Sequence, residues 1–288
     1  MDAHILRKGE SLTASIEDYP EGIIIPIDKP YRWTSADVIR KVKWAACRHF
    51  GKKNLKVGHA GTLDPLATGV LLVCVGKATK LAETLQKHDK EYVAGVTFGA
   101  TTPSYDREKE IDRMYPVEGV SREALEAALP SFVGEQEQVA PLFSAKSVDG
   151  VRAYEMARKA YKAASKGDGT FDHSAAELLS KQQICITKME ILSYGEPVAD
   201  ACPPSADSLN RFNGRINVID ISGLDLPHAD ILVGCTKGTY IRALARDLGE
   251  ALGSGAFLHS LRRTSTGSFR VEDALEVDEV MDILLARP

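Results

Sequence analysis

Val57-Gly-His-Ala-Gly-Thr-Leu-Asp-Pro-Leu-Ala-Thr-Gly69 carries one acid, Asp64, held between Leu63 and Pro65 and framed by Gly58, Gly61 and Gly69. Glycine reaches backbone conformations closed to other residues, and proline fixes φ while removing a donor. The acid therefore sits on a tight, pre-shaped loop. The apolar run behind it, residues 70–75 (Val-Leu-Leu-Val-Cys-Val), is expected as a strand. A carboxylate on a stiff loop above a sheet is one way to build a reactive group. The same residue types make ordinary turns, so this stretch alone leaves catalysis and turn-shaping both open.

Working outward, residues 22–27 (Gly-Ile-Ile-Ile-Pro-Ile) read as a short strand closed by Asp28-Lys-Pro30. Thr34-Ser35 offers an N-cap, Val38, Val42, Ala45, Ala46 and His49 recur at helical spacing, and Gly51 ends the helix. Helices are expected over 78–87, from Ser121 to 129, and over 152–164. Strands are expected over 91–98 and 184–192, more weakly over 215–221, and last over 230–235. Residues 139–146 read as a loop or edge strand because of Pro141. Residues 1–22 show no period and are expected as a loose N-terminal extension. A single domain then spans 23–288, with surface insertions near 165–174 and 200–213. Strands and helices mix without a βαβ rhythm, which predicts an α+β fold with a largely antiparallel sheet.

Composition narrows the classes. A chain of 288 residues, 44% hydrophobic and 26% charged, has enough apolar content for a sizeable core. Its start has no apolar segment to serve as a secretory signal, and no stretch reaches the ~18 uninterrupted apolar residues of a membrane span. Five scattered cysteines without a C-x-x-C imply neither a disulfide framework nor a zinc site, and a reduced cytoplasm is the expected location. The net charge of −4 argues against indiscriminate coating of nucleic acid. The charge is segregated, however. Between 38 and 63 stand Arg40, Lys41, Lys43, Arg48, Lys52, Lys53 and Lys56 with no acid, whereas 272–282 holds six acids and no base. A basic run usually forms a solvated face; this one leads into the Asp64 loop, which points to a phosphate-contacting rim.

Farther on, Thr236-Lys-Gly-Thr-Tyr-Ile-Arg-Ala-Leu-Ala-Arg-Asp-Leu248 predicts a helix capped by Thr239, with Ile241, Leu244, Ala245, Leu248 and Leu252 as its buried stripe. Arg242 then falls in the first turn, where a cation faces the positive end of the macrodipole. Arg246 doubles that charge one turn on unless Asp247 bends across to it. An opposing anion would resolve the conflict, and Asp64 is a candidate; plain exposure or a phosphate contact are the alternatives. Other chemistries lack their motifs. Six residues separate Gly69 from Gly76 where a phosphate loop needs four, and Ala78 stands where Ser or Thr would bind magnesium. No H-E-x-x-H and no G-x-S-x-G is present. A lone carboxylate is left, with no metal or cofactor expected.

Gly58-His-Ala-Gly-Thr-Leu-Asp-Pro-Leu-Ala-Thr-Gly69 closely resembles the active-site motif of the TruB family of tRNA pseudouridine synthases. The resemblance continues, in the family's order, through Asp28-Lys-Pro30, Lys90-Glu-Tyr92, Ser144-Ala-Lys146, Gly150-Val-Arg-Ala-Tyr154, Lys237-Gly-Thr-Tyr-Ile-Arg242 and Leu261-Arg-Arg263. It covers about residues 23–270 apart from the insertions. It implies a pseudouridine synthase fold and isomerisation of the T-loop uridine of tRNA, position 55 by the tRNA convention. The glycosidic bond to N1 breaks, the uracil turns, and C5 rejoins the sugar, with no redox step or cofactor.

The resemblance makes Asp64 the essential carboxylate, Arg242 its partner, and Tyr92 the residue that stacks on the base and assists proton removal from C5. His59 would fill the gap left by the everted base, and Leu261 would line the uracil pocket. Lys29, Lys146, Arg152 and Tyr154 would support the site and contact RNA, and Arg40, Lys41, Lys43, Lys52, Lys53 and Lys56 would meet phosphates. Because the chain ends soon after Leu261-Arg-Arg263, the small C-terminal RNA-binding domain of many members is expected to be missing. The expected partner is then the tRNA T stem-loop, with no guide RNA, no membrane, and the protein as a monomer. An N-glycosidase and a non-catalytic RNA-folding module are the competing readings.

Overall fold

The computed structural model describes residues 3–144, 147–148, 151–152, 155, 157, 159, 161–162, 181–195 and 216–286. The two expected insertions lie outside them. Strand β1 (His4–Ile5) and strand β2 (Ile23–Lys29) precede helix α1 (Ser35–His49). Strands β3 (Val57–Ala60) and β4 (Ala67–Val75) flank the Asp64 loop, and a 3-10 segment Gly76–Leu81 leads into α2 (Ala82–Gln86). Next come β5 (Lys90–Phe98), β6 (Ala100–Thr101), β7 (Arg113–Met114), α3 (Arg122–Ala128) and β8 (Gly134–Gln138). After the short pair β9 (Ser147–Val148) and β10 (Val151–Arg152) stand β11 (Gln182–Tyr194), β12 (His228–Cys235) and α4 (Ile241–Ala251). The chain continues through β13 (Ala256–Thr266), β14 (Phe269–Arg270) and α5 (Val277–Leu285).

These residues group into two compact units. The first contains residues up to 91 and from 262; the second contains 92–195 and 216–261 where described. In the first, the strand order is β1-β2-β4-β13, with β3 also on β4 and β14 on β13. Strands β2 and β3 both pair antiparallel with β4, so the apolar run 70–75 is the central strand and is wholly buried. In the second unit the order is β13-β5-β12-β11-β8, with β11 antiparallel to both β12 and β8. Pairing is antiparallel throughout the registered ladders except β1–β2. The α+β expectation with a mainly antiparallel sheet therefore holds.

Local sequence explains the elements that position the site. Thr34 and Asp37 form a reciprocal capping box at the start of α1. Val38, Val42, Ala45 and Ala46 make its buried stripe, and Gly51 adopts φ +60 just past its end. Pro26 stands mid-way along β2, where β1 has already stopped; its carbonyl accepts from Leu275 N–H at 2.9 Å, so its missing donor leaves no ladder bond broken.

Several expectations are corrected. The N-terminal extension is packed rather than loose: β1 runs parallel to β2, and Leu6 is fully buried. The predicted helix over 78–87 begins as the 3-10 segment and is α-helical only over Ala82–Gln86. Arg152 belongs to β10 instead of opening a helix, although 155, 157, 159, 161 and 162 are helical. Among the described residues 216–221 hold no strand; Ile219 is tied to Arg107 through three side-chain and backbone bonds instead. Strand β12 is not the last: the 11-residue β13 follows, its apolar alternation hidden by Arg262 and Arg263. Leu6→Ala would leave a cavity beside β2 and should lower stability by about 2–5 kcal/mol, read as a denaturant midpoint shift.

Candidate active site

The loop carrying Asp64 is held by its backbone from several directions within the first unit. The Ser35 hydroxyl, at the start of α1, donates to the Leu63 carbonyl at 3.2 Å and accepts from the Leu63 N–H at 3.0 Å. Lys29, at the end of β2, donates from Nζ to the carbonyls of Pro65 (3.2 Å), Pro30 (2.9 Å) and Trp33 (2.6 Å). Arg263, on β13, donates from Nε to the Val70 carbonyl at 2.7 Å and from Nη2 to the Gly61 carbonyl at 3.2 Å. The Asp28 carboxylate accepts from Gly69 N–H at 3.0 Å and from Arg262 at 2.7 Å, and Arg262 also reaches the Thr68 hydroxyl at 3.2 Å. Every one of residues 61, 63, 65, 68, 69 and 70 is thus tethered, while half-buried Asp64 itself closes a turn by accepting from Ala67 N–H at 3.1 Å.

Glycine is required twice. Gly61 and Gly69 have φ of +91 and +101, in the left-handed region that disfavours side chains. At Gly69 a Cβ would also overlap the backbone of Arg263.

Two buried cations dominate the electrostatics beneath the loop. Lys29 is 0% exposed and Arg263 is 1% exposed. Burial pulls the Lys29 amine down to about 7, with Asp64 and Asp28 drawing it up and Arg263 adding to the fall. His59, on β3 opposite Val73, is held below the ordinary imidazole range by burial and by Arg263, which favours the neutral ring. Substrate contact was expected of Lys29; the structure places it under the loop, where what it touches is backbone. Among the described residues no group of three or more His, Cys, Asp or Glu side chains is placed to hold a metal ion.

The second unit arranges Arg242. It is the second residue of α4, and the expected cap at Thr239 is corrected: the N-cap is Tyr240, with no side-chain cap. Buried Gln138 does that work from β8, its carbonyl accepting from Tyr240 N–H at 2.8 Å and its amide donating to the Tyr240 carbonyl at 3.2 Å. The Arg242 guanidinium is buried and donates to the carbonyls of Ser104 (3.0 Å) and Phe143 (2.9 Å), with its Nε 3.8 Å from the Asp106 carboxylate. Asp106 is aimed by Ser104, whose hydroxyl donates to its Oδ1 at 2.6 Å, and by Glu108 N–H at 2.9 Å. Between them Tyr105 takes φ +55, rare for a bulky residue and costing about 1–3 kcal/mol. The anion that offsets a cation at this helix start thus includes Asp106, to which the sequence reading gave no role. Arg246 is met by Asp247 at 2.7 Å.

Tyr92 is buried on β5 and Leu261 is half-buried on β13. Arg152 is on β10, and Lys146 and Tyr154 lie outside the described residues. Of the basic run, Arg40 pairs with Asp37, Lys41 with Asp278 at 3.1 Å, and Lys52 with Glu17 at 2.7 Å, while Lys43, Lys53 and Lys56 are exposed. Sequence reading assigned no role to Arg262 or Arg263 and read Ser35 only as part of a helix cap. A charge at an inward position of an alternating strand is the signal that could have found Arg263.

Two predictions follow from the loop. Gly69→Ala should destabilise the fold by at least about 2 kcal/mol, since neither φ nor the Arg263 backbone can yield cheaply; thermal melts measure it. Because Lys29 is charged below 10.5 in the unfolded chain but only below about 7 in the fold, the unfolded state binds more protons between these values. Stability should therefore rise with pH across that window, and Lys29→Met should flatten the rise in pH-dependent denaturation curves.

Comparison with known proteins places this geometry. Residues 48–197 match the family model described as the N-terminal domain of TruB family pseudouridylate synthase. Residues 242–287 match the tRNA pseudouridylate synthase B C-terminal domain, a segment that comprises α4, β13, β14 and α5. The tRNA pseudouridine synthase B of Phocaeicola vulgatus is 45% identical over 261 residues, 91% of this chain and 92% of that protein. Its namesake in Thermus thermophilus is 39% identical over 257 residues, 88% of this chain and 76% of the other. Among solved structures, a Cbf5–Nop10–Gar1 complex superposes with a TM-score of 0.58 at 24% identity, over 96% of this chain. An H/ACA RNP bound to a substrate RNA containing 2'-deoxyuridine superposes at 0.54 and 22%, over 98% of this chain. This chain spans about 60% of the length of those solved chains, and the likeness to them concerns the fold. On the family model and the curated relatives together, the chain belongs to the TruB family of pseudouridylate synthases.

Proposed function

We propose that this chain isomerises uridine to pseudouridine in tRNA, at the T-loop position 55, by everting the nucleotide and using Asp64 to break its glycosidic bond. The observation that carries this is the tethering of the Asp64 loop: its carbonyls and amides are taken by Ser35, Lys29, Arg263 and Asp28, so the carboxylate is presented on a support that need not reorganise. A uridine folded into a loop is unreachable until it is flipped, at a cost of a few kcal/mol. His59, with its neutral ring favoured, suits stacking in the vacated gap.

In this reading Tyr92 stacks on the base and assists proton loss from C5, and Leu261 lines the uracil pocket. The N1–C1′ bond breaks, C5 takes its place on the sugar, and the C5 proton is exchanged for one on N1, so no oxidant or energy source enters. Arg242 is read as the partner of Asp64, and Asp106 and the two carbonyls would hold the guanidinium for that task. Lys29 serves as a positioning residue. Lys146, Arg152, Tyr154 and the exposed lysines contact RNA, with affinity that falls as salt rises. Residues 23–288 act as one catalytic domain after the extension 1–22, on the tRNA T stem-loop, without guide RNA, as a cytoplasmic monomer.

Purified protein should convert the T-loop uridine of an unmodified tRNA transcript without added metal or nucleotide, and Asp64→Asn should abolish conversion while retaining tRNA binding. Normal turnover by the Asn variant would remove Asp64 from the mechanism. Free uracil in place of pseudouridine would convert the reading to a glycosidase.

A further inference from the structure

Helix α1 presents a second feature that the Asp64 site does not use. Its solvent face runs through Ala36, Arg40, Lys43, Trp44 and Arg48, the positions left over by the buried stripe. Trp44 is 51% exposed, and the Arg48 guanidinium lies 4.8 Å from its ring centroid, covering one face. A large aromatic side chain left half in water forgoes the burial that usually stabilises it. Ion pairs among the described residues take Arg40, Lys41 and Lys52, and leave Lys43, Arg48 and Lys53 without an acidic partner. The only acid on the helix, Asp37, is committed to the capping box and to Arg40.

We infer that this face is an accessory RNA-docking surface, on which Trp44 stacks an unpaired base or a ribose while Lys43, Arg48 and Lys53 meet the flanking phosphates. The inference rests on the tRNA reading above and extends it to nucleotides outside the one modified. The occupant follows from charge complementarity: an exposed indole with Arg48 on one face, and exposed Lys43 and Lys53 without acidic partners nearby in the chain, match a phosphate backbone with an unstacked base, the arrangement of single-strand binding platforms. Location supports it. The N-terminus of α1 is bonded to the Asp64 loop through Ser35 and Leu63. Trp44 stands nine residues beyond Ser35, roughly 13 Å along the helix axis, a span of about four nucleotides of stacked strand. An exposed aromatic that bound another protein would more commonly sit within an apolar patch; here its neighbours one turn away on the helix are Arg40, Lys41, Cys47 and Arg48.

The test is steady-state kinetics on an unmodified tRNA transcript with Trp44→Ala, Trp44→Phe and the double variant Lys43→Gln/Arg48→Gln. Trp44→Ala should raise KM about tenfold with kcat held, and Trp44→Phe, which keeps a π-face, should restore most of the affinity. The double variant should weaken binding and make the log–log salt dependence shallower by roughly two. A KM for Trp44→Ala within twofold of wild type would overturn the inference while leaving the isomerase reading intact. So would a KM rise accompanied by an equal loss of kcat and of thermal stability, which would mark Trp44 as structural. Loss of self-association in Trp44→Ala with unchanged RNA affinity would assign the face to a second copy of the chain instead. Failure of the wild-type protein to modify any tRNA would sink the isomerase reading itself, an outcome that no Trp44 variant can mimic.

Discussion

Two cations buried beneath a loop organise the first unit. Lys29 and Arg263 are removed from water almost completely, and an uncompensated charge there would be prohibitive. Their compensation comes mainly from backbone carbonyls: Pro30, Trp33 and Pro65 for the lysine, Gly61 and Val70 for the arginine. A carbonyl that must satisfy a buried cation cannot turn elsewhere, so the peptide planes on both sides of Asp64 have their directions set. The acid's orientation is inherited from Leu63 and Pro65, whose neighbours in space are fixed.

The second unit solves a related problem with a different compromise. Arg242 sits where the macrodipole of α4 repels it, and the structure answers with two carbonyls and Asp106. Presenting Ser104 and Asp106 to one guanidinium requires the chain to turn at Tyr105 with positive φ. That strain is held by the surrounding contacts: Tyr105 N–H to the Thr102 carbonyl at 3.0 Å, its own carbonyl to Leu258 N–H at 3.0 Å, and the Thr102 hydroxyl on Asp106. A strained turn retained around a buried charge is the pattern of a functional site rather than of a passive core.

Much of this was legible in one dimension because it depends on near neighbours. Thr34 caps α1 through Asp37 three residues on, Val38 to Ala46 repeat at the helical period, and the run 70–75 is apolar throughout as a central strand must be. Glycines at 61 and 69 announced a backbone that side chains would obstruct. The misses share a cause as well. Residues 78–87 are apolar enough for a helix, but their first turns tighten into 3-10 geometry. Residues 256–266 read poorly as a strand because the inward position at 263 is an arginine, and its partners lie some 190 to 200 residues away. The helix cap at Tyr240 is supplied by Gln138, about a hundred residues upstream, which no local rule can see.

By itself the order of residues determined that an acid would ride on a glycine-framed turn ahead of a buried strand, and that the chain belonged with the TruB synthases. The first follows from φ restrictions, local capping and side-chain period, all of which act over a few residues; the second rests on the motif blocks standing in the family's order. Tertiary structure alone decided that Lys29 faces inward, that Arg263 clasps the turn from a distant strand, and that Asp106 answers Arg242. Each of these depends on where a buried charge finds its compensating dipoles, and that is set by the packing of segments far apart in the chain.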